Sequence, residues 1–273
     1  MTYYTHRPNP DFPPVVKHII VLSSLMLLIT YVMGSTFGVD LTRYLALYYP
    51  ASPYFRPYQF VTHMFMHAGL THLFFNMFAL WMFGRVLENV WGSKRFFIFY
   101  FVTGIGAAVF YTFVHWIEYT PMIHLAATFT SSPTPELFSE FINRFVDHPN
   151  PQVFRFIQAW QSAPYDASLA HQAVVQVENY VAEIINIPTV GASGAVFGVL
   201  LAFGMLFPNT ELMLLFPPIP IKAKYFVLGY GAIELYLALA QPGSHVAHFA
   251  HLGGMLFGYF MVKYWNKNRT YFY

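Results

Sequence analysis

The sequence predicts an all-α membrane protein, a six-transmembrane-helix bundle with an extra amphipathic-helical insert on the outer face. Three observations predict it. Of the 273 residues, 56% are hydrophobic and 10% charged, where soluble domains carry about 45–50% and about 25%. The apolar residues gather in six runs, at 18–38, 70–88, 94–116, 192–208, 223–241 and 247–265, each near the ~20 residues a bilayer crossing requires. Between the third and fourth runs lies a long stretch, 117–190, too rich in acids and glutamines to cross a membrane.

In chain order, residues 1–17 hold Pro8, Pro10, Pro13 and Pro14 and read as a cytoplasmic tail. The run at 18–38 is followed by no small-residue cleavage site, so it reads as a retained helix. Residues 39–69 are rich in Tyr, Phe and Pro. They read as a loop lying partly in the membrane, where irregular backbone must be buried in protein or line a wet cavity. Spans one to three with this loop make one core segment, 18–116. The stretch 117–190 carries three helix starts, at Thr134-Pro135-Glu136, Asn150-Pro151 and Asp166, each with an N-cap side chain and two with proline at the first helical position. Leu137, Phe138, Phe141, Ile142 and Phe145 follow helical spacing, as do Phe154, Ile157 and Trp160, and then Leu169, Ala173, Val177 and Tyr180. These helices suit a lipid surface or a protein core equally well. Spans four to six form the second core segment, 191–265, and 266–273 is a second cytoplasmic tail.

Basic residues orient the bundle. Arg7, Lys17, Arg85, Lys94, Arg95, Lys222, Lys224, Lys263, Lys267 and Arg269 fall on the side of the termini, and only Arg43, Arg56, Arg144 and Arg155 opposite. Both termini are therefore expected in the cytoplasm, with a bacterial plasma membrane as the setting. The absence of cysteine excludes disulfides and thiol chemistry, and a net charge of +2 argues against nucleic acid.

With this orientation, spans four and six both start near the outer face. Span four opens Gly191-Ala192-Ser193-Gly194-Ala195-Val196-Phe197-Gly198. Gly194 and Gly198 have the spacing of close helix packing, and a serine between glycines is also a candidate nucleophile. Span six opens His248-Phe249-Ala250-His251-Leu252-Gly253-Gly254, and an intramembrane histidine is a functional candidate. In span two, His72 and Asn76 are four apart and share a helix face. Both can donate hydrogen bonds to an oxyanion, and Asn76 could equally make an interhelical bond.

These motifs together resemble the rhomboid intramembrane serine proteases, of the bacterial type with a six-helix core. Gly191-Ala192-Ser193-Gly194 resembles the family's nucleophile motif, and Ala250-His251-Leu252-Gly253-Gly254 its catalytic-histidine motif. His72 with Asn76 resembles its histidine–asparagine pair. Gly84-Arg85-Val86-Leu87-Glu88-Asn89-Val90-Trp91-Gly92 resembles its glycine–glutamate motif, and Tyr58-Gln59 stands where Trp-Arg or Trp-Gln is usual, the tryptophan being replaced. The resemblance covers roughly 18–116 and 190–265, and the long insert departs from it. It implies a Ser193–His251 dyad cutting peptide bonds in or near transmembrane helices. It also implies an oxyanion hole of the Ser193 N–H, His72 and Asn76, and an aromatic, Phe197, against His251. Gly254 and Gly258 would let helix six approach helix four, and Glu88 would tie helix ends on the cytoplasmic side. No metal or cofactor is expected; the partners are transmembrane substrates and the bilayer. His245 and His248 are expected to be interfacial or to line a water entrance, His63 and His67 to support the first loop, and no acid is assigned to orient His251. For Glu234, inside span five, protonated, paired and interfacial states all remain open. Two other readings are a catalytically inert helix binder of the same family and a histidine-ligated metal protein.

Overall fold

The computed structural model describes residues 11–213, 218–240 and 247–267. The remaining terminal residues, the Gln241-Pro242-Gly243-Ser244 loop and His245 lie outside the described residues. Helix α1 spans Pro14–Phe37, with Pro14 in its first turn and Gly38 in the left-handed conformation (φ 65°) at its end. It starts four residues before the expected boundary because Pro14 is a favourable first helical residue, so the tail is shorter than 1–17. A helix α2, Leu70–Trp91, follows the first loop. It contains a π turn at Leu80–Gly84, the kind of insertion that re-aims the faces on either side.

Helix α3, Ser93–Ser131, is 39 residues long with Pro121 inside it. At ~1.5 Å per residue it is about 58 Å long, roughly twice a hydrocarbon core. The expected end near 116 is therefore wrong. Past Pro121, Met122, Ala126 and Phe129 are buried in a hydrophobic cluster. That burial offsets the hydrogen bond a mid-helix proline removes.

The chain divides into two compact units, one of 1–47, 56–112 and 188–273 and one of 48–55 and 113–187. The second contains α4 (Pro135–Phe145), α5 (Pro151–Ser162) and α6 (Ala167–Ile185). The side chains of Thr134, Asn150 and Asp166 accept hydrogen bonds from first-turn N–H groups of the three helices. Their apolar stripes pack on one another, with Phe129, Phe138, Phe141, Ile157, Trp160, Ala173 and Val177 at the centre. Phe154 departs from the expected stripe and stays 43% exposed. The Ser52 hydroxyl donates to the Asn186 side-chain oxygen at 2.6 Å, holding part of the first connection to this unit.

The first unit also contains α7 (Ser193–Leu206), a hairpin of β1 (Glu211–Met213) and β2 (Pro220–Lys222), α8 (Ala223–Ala240) and α9 (His248–Asn266). The hairpin is antiparallel with Glu211 opposite Lys222; the sequence reading had only a connection there. Among the described residues, four helices, α1, α2, α3 and α8, are long and apolar enough to cross a membrane. The two other helices at expected span positions, α7 and α9, are the ones that carry Ser193 and His251. Helix α7 has only 14 residues, of which ten are buried. It is covered by protein and needs no long lipid-facing surface. Helix α9 breaks its apolar run with His248, His251 and Lys263.

Candidate active site

Helices α7 and α9 meet along glycines. A Cβ on Gly254 would overlap the Gly194 carbonyl, and one on Gly258 would stand 3.1 Å from the Gly198 oxygen. Backbones this close hold the start of α9 against the start of α7, as the Gly-xxx-Gly spacings predict. Ser193 is the first residue of α7. Before it, Gly191 adopts φ +127°, a conformation that favours glycine, and its N–H donates to the His63 carbonyl at 2.9 Å. A Cβ at Gly191 would also press on the His72 ring at 2.9 Å. The nucleophile motif thus uses its first glycine for a turn that only glycine accommodates beside His72.

The turn brings the Ser193 hydroxyl 2.9 Å from His251 Nε2. The ring of Phe197, one helical turn on, stacks on the His251 ring. His251 is buried, and its other nitrogen, Nδ1, lies 2.8 Å from Glu234 Oε2 on α8. The same oxygen lies 2.7 Å from His248 Nδ1. All three residues are buried.

This cluster corrects two expectations. A carboxylate does stand behind His251, and His248 is buried against it rather than lining an entrance. The available signal was the pair of facts that Glu234 lies inside an apolar span and that such a carboxyl needs a partner. Three spans had to be packed before the partner could be named. Glu234, His248 and His251 also converge closely enough to hold a metal ion, their ligand atoms lying within 4.8 Å of one another. The 2.7 and 2.8 Å separations are those of hydrogen bonds; two ligands of one tetrahedral zinc stand about 3.3 Å apart.

On the other side of Ser193, Asn76 is buried and its amide donates to the His72 carbonyl at 2.9 Å, within its own helix. The second amide hydrogen is not engaged by that bond. His72 packs edge-on against His67 at 5.1 Å between centroids. His63 Nδ1–H donates to the Gln59 carbonyl at 2.8 Å. Burial pulls the imidazoles of His63 and His67 down to about 4, the latter with help from neighbouring His72. Both are therefore neutral near pH 7. Gln59 is fully buried; its side-chain oxygen accepts the Arg56 N–H and its amide donates to the Tyr44 carbonyl. Tyr58, beside it, is exposed. A small cavity of about 20 Å³, lined by His63, Met64, Gly191, Ser193 and Ala250 among others, adjoins the serine; that is room for about one water.

Glu88 lies elsewhere in the unit, at the start of α1. Its carboxylate accepts the N–H groups of Val15 and Val16, each at 2.9 Å, and the Ser93 hydroxyl at 2.7 Å. It supplies acceptors to N–H groups that a helix start leaves unpaired.

Comparison with known proteins gives a consistent result. Over 209 residues, 75% of its length, the chain is 26% identical to "Rhomboid protein 1, mitochondrial" of Saccharomyces cerevisiae, covering 42% of that protein. It is 27% identical over 218 residues to an uncharacterized mitochondrial rhomboid protein of Schizosaccharomyces pombe, covering 77% of this chain and 52% of the relative. A shorter match, 36% over 52 residues, is to "Rhomboid protease GluP" of Bacillus subtilis and covers 19% of this chain and 10% of that one. The chain thus spans about half the length, or less, of these relatives. The family model for the Rhomboid domain matches residues 54–123 and 157–267, which include the Ser193–His251 pair. The chain, an integral membrane protein with helical spans, belongs to the rhomboid family.

Proposed function

We propose that this protein is an intramembrane serine endopeptidase that hydrolyses peptide bonds in or near the transmembrane helices of membrane-protein substrates. The observation that carries the reading is the 2.9 Å contact between the Ser193 hydroxyl and His251 Nε2. In the proposed reaction His251 accepts the Ser193 proton, Ser193 attacks the carbonyl carbon, and His251 then protonates the leaving amine. Water hydrolyses the acyl-enzyme by the same steps. The Ser193 N–H, at the positive end of α7, the free amide hydrogen of Asn76 and the His72 ring would hold the oxyanion.

The membrane sets the substrate requirement. A transmembrane helix has every backbone group paired, so it must unwind locally before a carbonyl reaches Ser193. Small or helix-breaking residues near the outer end of a substrate span would favour that. The reading also takes α7 and α9 as the fourth and sixth of six spans, with both termini on one side and 117–190 as an addition to the six-helix core. Entry from lipid between α2 and α8 would suit the exposed apolar residues that each helix carries, Leu70, Phe74 and Phe75 on one and Tyr236 and Leu239 on the other. The two longest matches are to relatives named mitochondrial, which does not support the expected bacterial plasma membrane, so the reading commits to topology and not to a compartment.

A fluorescent fluorophosphonate should label the reconstituted wild type and leave Ser193→Ala and His251→Ala unlabelled. Equal labelling of Ser193→Ala would overturn the assignment. A folded wild type that neither labels nor cleaves any transmembrane reporter would favour an inert helix binder. Loss of activity on chelation, with Ser193→Ala unaffected, would favour the metal reading.

A further inference from the structure

We infer that Glu234 is the positioning residue of this site, extending a serine–histidine pair into a three-residue chain of hydrogen bonds in which His248 holds the carboxylate in place. The inference rests on the catalytic reading of Ser193 and His251 and extends it to the element that supports them.

Glu234 Oε2 stands within hydrogen-bond distance of two imidazole nitrogens at once, His251 Nδ1 and His248 Nδ1. One oxygen can accept two N–H donors when the carboxylate is ionised, because it then offers only lone pairs. A proton on that oxygen would be donated to one ring and leave the hydroxyl oxygen only a weak acceptor for the other, whereas two short contacts of equal kind suit two N–H donors to an anion. The arrangement therefore assigns the N–H to Nδ1 of both histidines. For His251 this leaves the Nε2 lone pair facing the Ser193 hydroxyl, the tautomer a general base requires. When the serine proton moves to Nε2, the ring becomes a cation with a buried anion 2.8 Å away. The Nδ1 proton stays on His251 throughout, so Glu234 takes no proton and touches no substrate.

The cost of the site supports the same conclusion. A carboxylate inside an apolar span is expensive and persists only with partners. Glu234 is 4% exposed and sits on a lipid-crossing helix whose neighbouring residues Ile233, Leu235 and Tyr236 are all exposed. His248 supplies the second donor that a single histidine cannot, and its ring stands nearly perpendicular to that of His251, at 89°. Phe197 covers one face of His251. The ring is thus held by a hydrogen bond at each nitrogen and an aromatic stack. Glu234 is bonded to its Nδ1, His248 reaches the ring only through that carboxylate and an edge-on ring contact, Tyr230 lies one turn before Glu234 on α8, and His72 is on the serine side.

The test uses the full chain in proteoliposomes, a fluorescent fluorophosphonate and a transmembrane-peptide reporter that the wild type cleaves. Glu234→Gln should lower both the labelling rate and kcat by roughly 10²-fold or more, as removing the orienting carboxylate does in serine triads, with KM and thermal midpoint little changed. Glu234→Asp should recover part of kcat. A folded Glu234→Gln whose labelling and kcat stay within about threefold of wild type would overturn the inference. Should Glu234→Gln fail to fold, nitrogen-15 NMR of histidine-labelled wild type decides: the His251 signal, assigned by its loss in His251→Asn, should show a protonated Nδ1. A protonated Nε2 on a neutral ring would overturn the inference. The NMR outcome does not depend on turnover, so a wild type inert toward probe and reporter would sink the protease reading and leave the Glu234 result standing apart.

Discussion

Phe197 lies flat on His251, with ring centroids 4.1 Å apart and planes within 6° of parallel. The stack fixes the rotation of an imidazole whose two nitrogens must face a serine on one side and a carboxylate on the other. Tyr230 also packs against Phe197, at 4.9 Å between ring centroids and a tilt of 50°, so the aromatic is itself in contact with more than one side chain.

Replacing Phe197 by leucine keeps the volume roughly filled and removes the stack. Such stacks contribute about 0.5–1.5 kcal/mol. We expect kcat to fall by about 2–10-fold with KM nearly unchanged, measured on a cleaved transmembrane reporter.

Gly254→Ala should be far more damaging than its single methyl suggests. The added carbon overlaps the Gly194 carbonyl, so α7 and α9 must separate and the Ser193–His251 contact opens. Fluorophosphonate labelling should drop by at least about 10²-fold, since a misplacement of ~1 Å suffices for that. Gly258→Ala, whose Cβ would stand a tight 3.1 Å from the Gly198 oxygen rather than overlap it, needs a smaller shift and should retain measurable labelling.

Glu88→Gln tests stability apart from catalysis. The amide puts a donor where the carboxylate accepted from Val15, Val16 and Ser93, and one buried N–H loses its partner. A loss of about 1–3 kcal/mol follows, read as a lower thermal midpoint. Labelling of Ser193 well below that midpoint should match wild type.

His63 predicts an acid-sensitive fold. Burial holds its folded-state value at about 4, against 6.5 in an unfolded chain. Between these values the unfolded chain binds the extra proton, so stability rises with pH there. Its contribution is complete above about pH 6.5 and is lost as the pH falls toward 4, by up to about 3 kcal/mol. His67 acts in the same direction. His63→Asn should flatten part of the slope of thermal midpoint against pH between 6.5 and 4; an unchanged slope would count against a buried neutral imidazole.

Much of this protein was determined by local sequence. Hydropathy located helices at all six expected span positions, to within about four residues at most ends. Pro14, Thr134, Asn150 and Asp166 start helices because capping and proline geometry are decided within one turn. The glycine spacings foretold the close approach of α7 and α9, and Ser193 and His251 were paired as candidates before any packing was known.

Tertiary structure decided what depends on contacts between distant residues. The end of α3 moved to Ser131 because Phe129 and Met122 found a core made by helices that follow it. Helices α4 to α6 turned their apolar stripes toward one another, a choice that amphipathic periodicity leaves open between lipid and protein. The partner of Glu234 was the largest such decision. Whether a buried carboxyl is neutral or ionised, idle or bonded, is set by which donors reach it. Here both donors come from another helix, 14 and 17 residues along the chain.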